Sequence, residues 1–260
     1  MLNESTDRHG IVRLALDRPD VHNAFNAELI ERLTVRFGAL SERPPRALVL
    51  TGTGRSFSAG ADLGWMRAMA DADEATNRAD AQRLASMFRA LDTLPCPVIA
   101  RVQGAAFGGG VGLLACCDMA IASERARFGL TEVRLGLIPA TIAPFVLARI
   151  GRSHARRYFL TGERFDAAEA HRIGLIDAVV ADEDLDPAVE ARLDALRACG
   201  PQAVAECKAL IHRVDEFDGG AQELDAITAE WIARIRVSDE GQAGLRAFLD
   251  KRTPDWTPDS

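Results

Sequence analysis

Pro97-Val-Ile-Ala-Arg-Val102 runs through Gln103 into Gly104-Ala-Ala-Phe-Gly-Gly-Gly-Val-Gly112, and an apolar stretch then leads to Asp118-Met-Ala-Ile-Ala122. The first segment reads as a buried strand, the glycine cluster as the opening of an apolar helix, and the last segment as a second buried strand. A strand, a helix-opening turn and another strand make the unit of an α/β fold with largely parallel strands. Glycines at a helix start leave N–H groups unpaired, and the helix dipole adds to their attraction for negative charge. No Gly-Lys-Ser/Thr follows, so this is not a phosphate-binding loop, and Gly110 and Gly112 lack the third glycine of a dinucleotide fingerprint. Two readings stand: an oxyanion hole for charge that develops during reaction, or glycines that let helices pack closely.

Upstream, the same alternation continues. Ile11–Leu16 and Ala47–Leu50 read as strands, the latter ending in the turn Thr51-Gly-Thr-Gly54. Asn26 is an N-cap in front of Leu29, Ile30, Leu33, Phe37 and Leu40, which share one helix face. A long helical pattern fills Asp73 to Leu91. From about Pro139 the pattern turns to helix after helix. Asp166 and Glu169 spell a capping box and Gly174 closes that helix, while Gly200-Pro201 reads as one helix stop and the next helix start.

Composition narrows the function classes. The 260 residues carry 31 Lys+Arg against 38 Asp+Glu, a net −7, with no basic run longer than a pair; nucleic acid is not the expected partner. Five cysteines without a CxxC spacing point to a reducing compartment and away from a disulfide framework or zinc site. The polar N-terminus shows no signal peptide, and the uncharged stretch Val102–Cys117 is too short and glycine-rich to span a bilayer. A cytoplasmic protein is expected. The five histidines are scattered without metal-ligand spacing, and no GxSxG elbow occurs.

Two further segments can carry chemistry. Arg55-Ser-Phe-Ser-Ala-Gly-Ala-Asp-Leu63 crowds small residues after a strand-ending turn; it is either a tight loop or a place where backbone closely approaches a ligand. Phe128-Gly-Leu-Thr-Glu-Val-Arg-Leu-Gly-Leu-Ile-Pro139 sets Glu132 among mostly apolar residues. That carboxylate is either a general acid or base tuned by burial, or a surface charge paired with Arg134.

Taken in order, these segments resemble the crotonase (enoyl-CoA hydratase/isomerase) superfamily. The resemblance rests on Asp17-Arg-Pro-Asp-Val-His-Asn-Ala-Phe-Asn26, Phe57-Ser-Ala-Gly-Ala-Asp-Leu63, Gly108-Gly-Gly110, Glu132 with Gly136-Leu-Ile-Pro139, Leu160-Thr-Gly-Glu-Arg-Phe-Asp-Ala-Ala-Glu-Ala170 and Phe248-Leu-Asp-Lys-Arg252. It implies an α/β spiral of ββα turns over residues 1–199 and a helical C-terminal trimerisation region over 200–260, assembled as a homotrimer or a dimer of trimers. It implies that the Ala61 and Gly109 N–H groups hold an acyl-CoA thioester oxygen, with Glu132 in acid–base catalysis. Ser58, Ala59, Asp62, Leu63, Trp65, Gly108 and Gly112 would border the acyl-CoA, and Phe248 and Lys251 would reach a neighbouring subunit's coenzyme A. No metal or separate cofactor is implied, since coenzyme A enters with the substrate.

One departure matters. Typical hydratases of this family use two glutamates, and the first would fall at Gly112. Either Glu132 works alone, as in a double-bond isomerase, or hydration draws on another group, or the chain binds acyl-CoA without turnover. A glutamate placed at 112 is expected to fit, given room in the pocket. Trp65-Met-Arg-Ala-Met69, Gly110-Val-Gly-Leu-Leu114 and Ile138-Pro-Ala-Thr-Ile-Ala-Pro144 resemble bacterial 3-methylglutaconyl-CoA hydratases of leucine and isovalerate breakdown and the related carboxygeranoyl-CoA hydratases. That branch implies a branched, carboxylated acyl group, for which Arg67 is the candidate cation.

Overall fold

In the computed structural model, which describes residues 1–257, strands and helices alternate as β1 (Leu2–Thr6), β2 (Ile11–Leu16), α1 (Ala27–Glu42), β3 (Ala47–Gly52), α2 (Leu63–Ala70), α3 (Glu74–Asp92), β4 (Val98–Val102), β5 (Ala105–Phe107), α4 (Gly109–Ala115), β6 (Met119–Ser123) and β7 (Arg127–Gly129). After a 3-10 turn at Glu132–Leu135 come α5 (Ala143–Thr161), β8 (Arg164–Asp166), α6 (Ala167–Arg172), β9 (Ala178–Val180), α7 (Leu185–Arg197), α8 (Pro201–Asp215), α9 (Ala221–Arg236) and α10 (Asp239–Leu249). The main sheet has the order β1-β2-β3-β4-β6-β9, parallel throughout except for the β1–β2 hairpin. A smaller sheet, β5-β7-β8, holds the glycine-rich crossing.

Both faces of the main sheet are covered, so its strands are apolar on alternate positions facing two different cores. Val12, Leu14, Leu16, Leu48, Leu50, Val98, Ala100 and Val102 pack with α1, α3, α4 and α5 in the larger core. Ile11, Val49, Ile99 and Ile121 point the other way, onto Leu185, Val189 and Leu193 of α7. The expected α/β class and the helical C-terminal region are both present, and Leu29, Ile30, Leu33, Phe37 and Leu40 are indeed the buried face of α1.

Several local expectations change. The region after Pro139 is not purely helical: β8 and β9 are three-residue strands, and β9 extends the main sheet. Asp166 caps α6 by accepting from the Glu169 N–H, but the reciprocal half of the capping box is missing. The Glu169 carboxylate accepts from Tyr158 and Arg172 instead, whose hydrogen bonds hold it at about 2. Gly200 is no left-handed helix end, since its φ is −65°. The Glu240 carboxylate of α10 occupies the space beside it and accepts from the Gln202 and Ala203 N–H groups, capping α8 from another helix. A side chain at position 200 would displace that cap.

The three C-terminal helices bury little within one chain. Lys208 and Ala247 are their buried residues. Lys208 fastens α8 to the sheet end by donating to Asp118 (2.8 Å) and the Cys96 carbonyl (3.2 Å). Among the described residues no helix is long and apolar enough to cross a membrane.

Candidate active site

The centre of the site is built from backbone. The chain between Phe57 and Leu63 threads between Phe25 and β5. On one side the Phe25 N–H donates to the Gly60 carbonyl (2.6 Å) and the Asp62 N–H donates to the Phe25 carbonyl (2.8 Å). On the other, the Ser58 N–H donates to the Ala105 carbonyl and the Phe107 N–H to the Ser58 carbonyl. In a parallel bridge of the first kind the intervening residue's N–H faces away from the partner strand. Ala61 is that residue, and its N–H meets no acceptor among the described residues. Gly109 is the first residue of α4, where N–H groups have no intrahelical carbonyl to bond, and it too lacks an acceptor there.

Glycine is required where these two segments meet. Gly108 has φ 50° and ψ −116°, a backbone state foreign to other residues, and a Cβ there would sit 3.1 Å from Glu132 Oε1. A Cβ on Gly109 would lie 2.6 Å from the Phe25 ring. The Arg18–Asn26 segment steadies this arrangement. Arg18 pairs with Asp62 at 3.0 Å, and the buried Asn23 amide donates to the Thr53 and Ser56 carbonyls.

A cavity of about 720 Å³ opens beside these amides, lined mainly by apolar groups from α2, α3, the 3-10 turn and the segment leading into α5. Ala59, Ala61, Trp65, Gly108, Gly109 and Glu132 all line it. Glu132 begins the 3-10 turn. Its Oε2 is buried without a hydrogen-bond partner, and burial pushes its carboxyl above the usual carboxylate range. No ion pair with Arg134 forms among the described residues, so the carboxylate is not held as a surface charge. Trp65 Nε1 is likewise buried with no acceptor.

Other expected residues lie outside the cavity wall. Ser58 is fully buried and its hydroxyl donates to the Asn23 carbonyl, so its side chain is spent inside the protein. Asp62 caps α2 through the Gly64 and Trp65 N–H groups. Burial pushes its carboxyl up, but Arg18 and those N–H groups outweigh burial and hold it below the usual range. Leu63 and Arg67 are exposed. Phe248 and Lys251 lie at the exposed end of α10, away from this chain's cavity. Gly112 corrects the expectation of free space. A Cβ there would overlap Ile142 and approach the Phe88 ring to 3.0 Å, so Ile142 and Phe88 fill the place a glutamate would need.

The sequence reading missed one wall entirely. Asn77, Asp80, Ala81 and Leu84 of α3 line the cavity, spaced i, i+3, i+4 and i+7, which marks one helix face. Asn77 is a fastener, donating to carbonyls of Met69, Ala72 and Asp73 between α2 and α3. Asp80 is a buried carboxylate in an otherwise polar stretch, and that stretch carried no motif to flag it.

A fold of ββα turns with two free amides and the orphaned Glu132 carboxylate at a largely apolar cavity defines an acyl-thioester enzyme of the crotonase type. Residues 6–259 match the family model described as enoyl-CoA hydratase/isomerase. A crystal structure of an enoyl-CoA hydratase from Shewanella pealeana superposes with a TM-score of 0.93 at 45% identity, covering 98% of this chain and 95% of that one. Pseudomonas aeruginosa AtuE gives a TM-score of 0.94 at 37% identity, covering 99% of each chain. Enoyl-CoA hydratase ACTT6 of Alternaria alternata is 35% identical over 247 residues, 94% of this chain and 80% of its own length. The chain belongs to the enoyl-CoA hydratase/isomerase family.

Proposed function

We propose that this enzyme adds water across the double bond of an α,β-unsaturated acyl-CoA whose acyl group is branched and carries a distal carboxylate. In this reading the Ala61 and Gly109 N–H groups receive the thioester oxygen as the enolate develops, a contribution worth about 3–4 kcal/mol per donor. Glu132 exchanges the proton at Cα. The observation that carries the reading is convergence: Trp65, Met66 and Met69 meet Ile138, Pro139, Thr141 and Ile142 as walls of one cavity. These belong to two of the three stretches that resemble the 3-methylglutaconyl-CoA branch, and the third, Gly110–Leu114, follows directly on the cavity-lining Gly108 and Gly109.

Arg67 does not serve the distal carboxylate, because it lies outside the cavity, and no Arg, Lys or His lines the described wall. Neutral donors take that role instead: the Trp65 Nε1–H and the Thr131 and Thr141 hydroxyls. The reaction draws on no separate cofactor or metal, coenzyme A arriving with the substrate. Residues 1–199 carry the acyl-CoA site and 200–260 carry self-association, as a trimer or pair of trimers in which Phe248 and Lys251 meet a neighbour's coenzyme A. Cys96, Cys116 and Cys117 are free and buried, which suits a cytoplasmic setting.

The sealed Gly112 position favours a second reading, a double-bond isomerase with Glu132 as its sole base. A mass-resolved product assay with crotonyl-CoA and 3-methylglutaconyl-CoA separates the two. Water gained mainly on the branched acid is the expected result. Water gained mainly on crotonyl-CoA overturns the branched preference, and a shifted double bond without water gained favours the isomerase.

A further inference from the structure

The geometry points to Asp80 as the second carboxylate of the reaction, the group that holds and deprotonates the attacking water from α3. This inference rests on the hydratase reading. Hydration of a conjugated thioester needs a base for water at Cβ and a proton donor at Cα, and Glu132 supplies only one of them. Position 112 cannot supply the other, because Ile142 and Phe88 close it. Among the described residues lining the cavity, Glu132 and Asp80 are the two carboxylates.

Asp80 is built to stay where it is. It is 5% exposed, and Arg83 donates to its Oδ1 at 3.0 Å from the neighbouring turn of α3. Oδ2 receives no hydrogen bond among the described residues, leaving an acceptor for a water molecule at the cavity wall. A buried carboxylate in an apolar wall is costly unless its oxygens are satisfied, and Oδ2, which is not closed off from solvent, is open to a water molecule. Asp80 lies two helical turns before Phe88, about 12 Å along the axis of α3. The water-activating carboxylate thus sits on the wall that Phe88 shares, in the second turn of α3 rather than in α4.

The step balances with these groups. Asp80 accepts a proton from water as its oxygen bonds to Cβ. The alkene electron pair moves toward the thioester, whose oxygen is held by the Ala61 and Gly109 amides. Protonated Glu132 then delivers its proton to Cα, and solvent returns the proton from Asp80 to Glu132 when product leaves.

The test compares Asp80→Asn and Asp80→Ala with the unaltered enzyme in two assays. The first is hydration of the preferred enoyl-CoA, and the second is exchange of solvent deuterium into the Cα position of butyryl-CoA, which needs Glu132 but no attacking water. The expected result is a loss of about 10²-fold or more in kcat for hydration, with KM within about threefold and deuterium exchange retained. Added formate should partly restore hydration to Asp80→Ala and do nothing for Glu132→Gln. Hydration by Asp80→Asn within about threefold of the unaltered enzyme overturns the role of Asp80 alone. Loss of exchange in parallel with hydration, without rescue by formate, makes the Asp80–Arg83 pair structural and also overturns it. Absence of water addition by the unaltered enzyme overturns the hydratase reading and this role with it.

Discussion

Glu132 shows how one carboxyl can be tuned by its surroundings with no charged partner. Burial raises its pKa, outweighing a backbone hydrogen bond that lowers it, and the orphan Oε2 has no charged partner to reverse that push. In its proposed role, the raised pKa gives Glu132 opposite pH dependences in hydration and in dehydration. Hydration uses the protonated form, so its kcat/KM falls as pH rises through the raised value. Dehydration of a 3-hydroxyacyl-CoA uses the carboxylate and gains over the same interval. Stability follows the proton as well: the folded state binds it more tightly than the unfolded chain, so this carboxyl's contribution is present at low pH and is lost as pH rises from about 4.3 through the raised folded value. Glu132→Gln removes that loss. The variant is therefore expected to hydrate at least about 10²-fold more slowly, to bind coenzyme A as before, and to melt no lower than the unaltered enzyme at pH 8. A melting point well below it would mean that Glu132 is chiefly a structural residue.

At the scale of elements, α4 is packed against α3 and the segment entering α5 behind the cavity wall, and Gly112 is where they touch. Its missing side chain lets α4 lie against Phe88 of α3 and Ile142 just before α5. Gly112→Ala should destabilise the fold by about 1–3 kcal/mol through overpacking, read from the midpoint of urea unfolding. Combined with Ile142→Ala, which removes the Cγ2 that the new Cβ meets, it should cost less than the sum of the two single changes, and strict additivity would place the clash elsewhere. This contact also explains what was legible in the sequence. Short-period signals survived: the Asn26 cap, the α1 face, the weakly alternating strand at Ile11–Leu16 and the buried strand at Pro97–Val102. The backbone donors were legible because glycine at 108 and 109 answers a local demand on φ and on space. The role of Gly112 was not, because whether a missing side chain leaves a pocket or a packed contact depends on Ile142, thirty residues away. Asp80 was equally hidden: its meaning comes from the cavity that α3 faces, while its local sequence resembles any solvated helix. The strands β8 and β9 escaped because three residues carry too little periodicity to register.

For the whole molecule, the C-terminal helices are the least self-sufficient part. Ile211, Val237, Phe248 and Leu249 are each more than two-thirds exposed, while Lys208 and the Glu240 cap tie α8 inward and to α10. A helical layer that is anchored by polar groups and apolar outside suits burial against another copy. Its end has a conformational signature. Lys251 adopts φ 55°, donating to the Phe248 carbonyl while the Arg252 N–H donates back to that of Ala247. That left-handed helix end is a place where glycine is at ease and lysine is strained by about 1–2 kcal/mol. A strained lysine beside an exposed phenylalanine fits a side chain retained for binding rather than for folding. Lys251→Gly is therefore expected to leave stability unchanged or raise it by up to about 1 kcal/mol, since relief of strain is offset by the freer unfolded chain. The same variant should raise KM for the acyl-CoA, with kcat nearly unchanged, because an ammonium held against coenzyme A phosphates binds ground and transition states alike. An unchanged KM in an assembled oligomer would remove Lys251 from the coenzyme A site and leave its strain without a function.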